Sequence, residues 1–343
     1  MSPLPFASVD ELEAHLSEPD DAVVSALRDL QGDVVIAGVG GKMGPSLARM
    51  VRRALDLTGK NSRVYGVSRF RQSQLRDELQ AAGVIPIAAD LLDPEAVRRL
   101  PDAGLVVSMV GFKFGTSTAA AQTWATNVLL PAYLCTRYPC SPMIAFSSGN
   151  IYGMVPVDCG GSTVEDAVRP VGEYATTVLG RERIYEFFGH RQQTRSALLR
   201  LNYAVEMRYG VLVDIARQVR CGEPLDVTMG YVNVIWQGDA NRMALRAIPY
   251  AETGARKFNI AGAEILSVRE VAARFAEIWG MDVRFQGTEA PDAFLNDASG
   301  SYSLLGRPSV SADTMIEWIA EWIDRGLPQW DLPTHFENRG GVF

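Results

Sequence analysis

The chain has 343 residues, 47% hydrophobic and 21% charged, the balance of a globular protein large enough for a nucleotide-binding domain with a smaller companion. Its net charge of −7 leaves no basic surplus to neutralise phosphates, which argues against a nucleic-acid partner. No apolar run approaches the ~20 residues of a membrane-spanning helix, and the N-terminus lacks the basic and apolar regions of a secretory leader, so a cytoplasmic protein with no membrane partner is expected.

Residues 1–31 read as an N-terminal helical extension. Ser8 and Glu11 have capping-box spacing, and Asp20 can cap a second helix, DAVVSALRDL. From Asp33 onward, short apolar strands alternate with helices: DVVIAG, RVYGVS, VIPIAA, GLVVSMVG, MIAFSSG and SALLRLN. A long helix is expected from about Thr116 to Arg137, and another within PVGEYATTVLGRERIYEF. Continuous apolar strands alternating with helices imply a parallel sheet covered on both faces, a Rossmann-type doubly wound α/β domain over 32–203. Residues 204–343 read mostly as a smaller substrate-binding lobe with some segments returning to the Rossmann domain. There GYVNVIW and KFNIAG look like strands, and SVREVAARFAEIWG and ADTMIEWIAEWIDRG like helices. The turn-rich tail GLPQWDLPTHFENRGGVF is expected to lie along the surface.

Cys135, Cys140, Cys159 and Cys221 form no C-x-x-C pair and have no histidine at ligand spacing, so buried free thiols and no metal are expected. Of the histidines, His15 lies on the N-terminal helix, His190 ends a helix where its charge suits the dipole, and His335 is in the tail. None is in a pattern that points to histidine catalysis.

Gly38, Gly41 and Gly44 form G-x-x-G-x-x-G directly after the first strand, in VVIAGVGGKMGPSLARM, with Lys42 and Met43 inside the loop. Glycines there permit a tight turn and let the backbone approach a pyrophosphate resting on the helix N-terminus. An NAD site usually offers a carboxylate to the ribose at the end of the second strand. This chain has Ser68 and Arg69 instead, with Arg71 close by and Lys42 in the loop. That set suits a 2′-phosphate, so NADP is the expected cofactor, with NAD as the alternative. Asp90, followed by Leu91 at the end of the third strand, is placed to bond the adenine amino group or to cap the next helix.

These residues together resemble the extended short-chain dehydrogenase/reductases, the NAD(P)-dependent sugar epimerases and dehydratases. The resemblance spans roughly 33–325 and rests on GVGGKMG, AADLLD, TNVLLPAYL with Asn127, IAFSSGNIYG, PVGEYATTVLGRERIYEF, YVNVIWQGDANRMALRAI and FNIAGAEILSVREVA. It implies that Ser148 orients the substrate oxygen, that Tyr174 is the acid/base, and that Asn150, Arg200, Asn202 and Tyr203 belong to the substrate side. The later polar residues Arg208, Asn233 and Gln237 would line the lobe's pocket. It also implies a homodimer formed through the Thr116–Arg137 and Tyr174–His190 helices.

One part departs from the family: four residues after Tyr174, in place of the lysine of Tyr-x-x-x-Lys, stands Val178. An unperturbed tyrosine has a pKa of about 10, and bringing it to neutrality takes roughly 4 kcal/mol of preference for the phenolate. Lys113, in MVGFKFG after the fourth strand, is the replacement cation expected. Arg181 lies two turns on, about 10 Å along the axis, and reads as too distant. Arg200 would hold an anionic substrate or serve an internal ion pair. The expected activity is hydride transfer at a hydroxyl- or carbonyl-bearing carbon of a sugar or sugar-derived acid, by a dehydrogenase, epimerase or dehydratase. The alternative is a catalytically degenerate NAD(P)-binding sensor or scaffold.

Overall fold

The computed structural model describes residues 3–116 and 118–341, so the ends of the expected extension and tail, residues 1–2 and 342–343, lie outside the described residues, as does residue 117. Seven strands form the central sheet: β1 Val34–Ala37, β2 Val64–Ser68, β3 Ile85–Ala88, β4 Leu105–Ser108, β5 Met143–Ser148, β6 Ser196–Leu201 and β7 Arg256–Ile260. Their order is β7-β6-β5-β4-β1-β2-β3, every pairing parallel. Each side chain of β1 and β4 is buried, as a sheet covered on both faces requires. The order reverses between β1 and β4, and an open α/β sheet binds ligands in the crevice beyond its carboxyl edge at that point.

The helices are α1 Val9–Leu16, α2 Asp21–Arg28, α3 Gly44–Thr58, α4 Ser73–Ala81, α5 Pro94–Arg98, α6 Ala120–Trp124, α7 Leu130–Arg137, α8 Gly172–Gln192, α9 Val211–Cys221, α10 Gln237–Arg246, α11 Val268–Trp279, α12 Ser299–Leu305 and α13 Ala312–Asp324. Ser8 and Asp20 cap α1 and α2 as their spacing predicts, accepting the N–H groups of Glu11 and Val23. The helix expected from Thr116 begins instead at Ala120, because Gly115 turns the chain with φ +76°. Between α6 and α7 the backbone widens into a π-helical turn, Ala125–Leu129. The GYVNVIW segment yields only two short pairings, Tyr231–Val232 and Ile235–Trp236, while KFNI joins the central sheet as β7.

The first 31 residues are built into the body. Phe6, Leu12 and Leu16 are buried with Trp236 and Trp322 in a core beneath the lobe, while Val23 and Leu27 join the core beside α3. Part of the tail is interior too, since Phe336 is buried in the lobe core. Three of the four cysteines, Cys140, Cys159 and Cys221, are exposed free thiols, and only Cys135 is buried. Among the described residues, no helix is long and apolar enough to cross a membrane.

A buried polar network joins the carboxyl ends of the central strands. Arg200 on β6 donates to both carboxylate oxygens of Glu182 on α8, at 3.0 and 2.8 Å. Ser147 on β5 donates to the same carboxylate at 2.6 Å. Arg200 also donates to the Tyr152 hydroxyl at 2.7 Å, which donates in turn to Asn259 on β7 at 2.7 Å. Breaking one side of such a pair leaves a buried charge uncompensated, at about 3–5 kcal/mol. Urea denaturation of Glu182→Gln should therefore show a stability loss of that order, and a loss below about 1 kcal/mol would mean the pair is not what fixes these elements.

Candidate active site

The glycine loop connects β1 to α3. Gly38 takes φ +87°, and a Cβ there would meet Val110 at 2.8 Å. At Gly44 a Cβ would lie 2.2 Å from the Val39 carbonyl, so this glycine lets helix and loop touch. Gly41 differs: a Cβ would have only the Gly38 carbonyl near it, at 3.6 Å. The protein's own packing does not demand glycine at 41, so the open space above it fits a group approaching from the cleft.

Two adjoining cavities share Gly38, Gly41, Met109 and Gly111. One, of about 530 Å³, runs over the ends of β2 and β3 and is lined by Ser68, Arg69, Arg71, Asp90 and Leu91. No carboxylate stands at the end of β2; Asp90, at the end of β3, accepts the Leu92 N–H at 3.0 Å. Lys42 takes no part on this side. Its ammonium donates to the carbonyls of Ala204 and Tyr209 and lies 4.5 Å from the Tyr209 ring centroid. Burial lowers its pKa to about 7. The long side chain has turned from the loop toward the lobe, away from the position that a 2′-phosphate contact needs.

The second cavity, of about 260 Å³, brings together Met43, Lys113, Ser148, Asn150, Tyr174, Asn202 and Tyr203, residues from five separate segments. Ser148 ends β5 and caps the following 3-10 turn, accepting the Asn150 N–H at 3.2 Å. Tyr174 stands in the first turn of α8. The Lys113 ammonium lies 6.0 Å from the Tyr174 ring centroid. Burial brings its pKa down to about 8, opposed by the carboxylates of Asp214 and Glu337. Asn127, on the π-helical turn, fixes this juxtaposition. Its side chain accepts the Phe112 N–H at 2.9 Å, donates to the Phe112 carbonyl at 3.0 Å, and donates to Thr177 on α8 at 2.9 Å. The loop carrying Lys113 is thereby tied to the helix carrying Tyr174.

Val178 is fully buried against Ile151 and Tyr152, an apolar contact that an ammonium could not replace. Arg181, which helical rise alone places too far away, lines the cavity. Helical side chains lean toward the N-terminus, so its guanidinium reaches back over the turn at Val178. It donates to the Phe146 carbonyl at 2.7 Å, Asn127 Oδ1 at 2.6 Å and the Asn127 carbonyl at 3.3 Å. No ion pair joins it among the described residues, and burial disfavours its charged form. That lean was the available signal in the sequence.

Several expected ligands lie elsewhere. Arg200 is engaged with Glu182 and Tyr152 and does not line either cavity. Arg208 pairs with Glu206 and Glu13, Asn233 bonds Asn202 and the Asn296 carbonyl, and Gln237 bonds Ser46 on α3. Tyr209 and Thr334 also line the cavity, and no local pattern in the sequence marks either.

No protein-family model matches the chain, and no curated protein matches it. Solved structures do. The UDP-glucuronic acid 4-epimerase from Bacillus cereus, in complex with UDP-glucuronic acid and NAD, matches with TM-score 0.71 at 18% identity, over 85% of this chain and 99% of that one. MoeE5 in complex with UDP-glucose and NAD gives 0.69 at 22% identity, over 86% and 99%. The UDP-glucose 4-epimerase of Thermotoga maritima, with UDP-glucose, gives 0.71 at 16% identity, over 86% and 99%. At these identities the likeness is one of architecture: the chain has the Rossmann-type fold of the extended short-chain sugar epimerases.

Proposed function

We propose that the chain is an NAD(P)-dependent enzyme that transfers hydride at a hydroxyl- or carbonyl-bearing carbon of a sugar or sugar-derived compound. The observation that carries this reading is the convergence of Ser148, Tyr174 and Lys113 on one cavity that opens from the glycine loop. The neighbours of the same fold, which hold NAD and UDP-sugars, support it.

Bound NAD(P) would supply the hydride acceptor or donor, its pyrophosphate held at Gly41 and the α3 N-terminus and its adenosine half beside Ser68, Arg69 and Asp90. The chain's own residues then manage one oxygen. Ser148 donates a hydrogen bond to it, and Tyr174 takes its proton as the carbon is oxidised or returns the proton as it is reduced. A cation about 6 Å from a developing phenolate stabilises it by about 3 kcal/mol at an effective dielectric near 20. Lys113 places a cation 6.0 Å from the centroid of the Tyr174 ring, and the buried Arg181 guanidinium acts on the same tyrosine.

Val178 in its apolar pocket favours the alternative, a nucleotide-binding protein without turnover, and one variant separates the two. Tyr174→Phe should lower kcat by about 10²–10⁴-fold while nucleotide affinity is retained; turnover left intact would remove Tyr174 from the chemistry. Lys113 carries its charge below a pKa of about 8 and loses it above. The profile of kcat/KM should thus fall on the alkaline side near that value, and Lys113→Arg, charged throughout, should move the fall upward.

We infer NADP as the preferred cofactor, with NAD the alternative, from Arg69 and Arg71 lining a cavity whose β2 end offers no carboxylate. Nucleotide released from the denatured protein identifies the resident form. Arg69→Ala should weaken NADP binding about tenfold or more and leave NAD unchanged; equal effects on both would point to NAD. A homodimer is supported by Trp124, Leu129 and Phe187, exposed apolar side chains on the paired α6–α7 and α8 region. Light scattering should give a dimer mass, and Leu129→Glu with Phe187→Glu a monomer, whereas a monomeric native chain would refute the pairing.

A further inference from the structure

The C-terminal segment spans both lips of the cleft. The Trp330 N–H donates to the Arg208 carbonyl at 3.0 Å, and its ring lies 4.9 Å from the Arg208 guanidinium, which fixes the start of the segment on the lobe. Thr334 gives both its N–H and its hydroxyl to one oxygen of Asp214, at 2.8 and 2.6 Å, and itself lines the cavity. His335, in left-handed backbone at φ 53°, makes an edge-to-face contact with Phe114, ring centroids 6.2 Å apart, one residue from Lys113. Phe336 anchors the segment in the lobe core. Its end lies against the start of α8, where a Cβ on Gly172 would stand 2.3 Å from the Gly341 carbonyl, two residues before Tyr174. The segment therefore touches the lobe, the Lys113 loop and the Tyr174 helix in turn.

Size follows from this. The cavity beneath the strap is about 260 Å³, and its lining runs from Gly41 to Thr334, so it must admit the reactive end of the proposed cofactor together with the substrate. Ligands of drug size, a class that includes a nucleoside diphosphate sugar, occupy pockets of about 300–1,000 Å³ by themselves. Charge points the same way. A diphosphate needs cations not already paired with acids, yet Arg208 is held by Glu206 and Glu13. Asp214 and Glu337 bring negative charge to the strap end of the cleft, where both act on Lys113. The neighbours solved with UDP-sugars are matched over 99% of their length against 85% or 86% of this chain, which leaves part of this chain without a counterpart in them.

We propose that the strap, residues 330–341, is a wall of the substrate site and limits it to a nucleotide-free hydroxy or carbonyl compound of monosaccharide size. The inference rests on the hydride-transfer reading above and narrows its substrate class. The test begins with cofactor binding to the full-length protein, followed by fluorescence; a chain that binds no nicotinamide cofactor fails the parent reading, and this one with it. The cofactor-loaded protein is then titrated by calorimetry with UDP and with UDP-glucose, and no saturation below the millimolar range is expected. Micromolar binding of either would overturn the proposal. The same protein is next assayed by nicotinamide absorbance against free monosaccharides, polyols and sugar acids, of which at least one should turn over. Replacing Thr334→Ala and His335→Ala together, with Phe336 left as anchor, should raise KM for that compound about tenfold or more with cofactor affinity unchanged. A KM that does not move, or a panel in which nothing turns over while the cofactor binds, overturns it.

Discussion

The site depends on a charge pair that touches none of the proposed reactants. Glu182 and Arg200 are both buried, and a pair so removed from water contributes little net stability over an apolar replacement. What it contributes here is position. Ser147 is drawn to Glu182, while the adjacent Ser148 caps the 3-10 turn and faces the cleft. Tyr174 begins the helix that Glu182 pins two turns later, and Asn202 follows Arg200 by two residues. Through Tyr152 and Asn259 the same network reaches β7, which arrives from far along the chain. One misplaced partner would shift the serine, the tyrosine and the lobe entrance together.

Above that frame, the missing lysine becomes a problem of where positive charge is stored. The family pattern puts it on the tyrosine's own helix, one turn on. In this chain that position fills an apolar pocket, and in the proposed reading the charge comes from two other places. Lys113 arrives on a loop that Asn127 ties to α8, and Arg181 reaches back along the helix to bond the same asparagine. The π-helical turn carrying Asn127 is what lets one side chain serve loop, helix and guanidinium at once, and such turns recur at functional sites because they release backbone geometry locally. The hydrogen bonds of the buried guanidinium go to carbonyl oxygens, while the nearby Glu182 carboxylate favours its charged form.

The sequence made legible what local chemistry dictates. Alternation of apolar strands with helices gives the sheet, and the glycine spacing gives the loop, because a turn, a close approach and a helix start are encoded within seven residues. The place of Lys113 in the cavity lining was legible because a loop after β4 must pass beside the same crevice. Arg200 was not: whether a strand-end arginine meets substrate or an internal acid depends on a partner eighteen residues back, on an element of different period. Lys42 misled for a related reason, as its place in the loop is local but the direction of a long side chain is set by carbonyls about 160 residues on. The tail read as surface because nothing in PTHFENRGG announces that Asp214 will hold its threonine.

These distant contacts meet in residues 203–209. Tyr203 stands in left-handed backbone at φ 37°, a conformation that costs a bulky residue about 1–3 kcal/mol and persists only where its surroundings over-determine it. They do so here. Lys42 from the glycine loop holds the Ala204 carbonyl, Glu13 from the N-terminal extension pairs with Arg208, and Trp330 from the strap bonds the carbonyl of that arginine. Both terminal segments thus converge on one junction between the two halves of the fold, and each is secured by buried aromatic or aliphatic anchors as well as by polar bonds. A junction so constrained resists hinge opening, and a cleft that opens little gains affinity by preorganisation, at the expense of the range of ligands it can admit. The terminal segments and the narrowness of the site are therefore two aspects of one constraint: the segments that rigidify residues 203–209 also set how large a molecule can reach Tyr174.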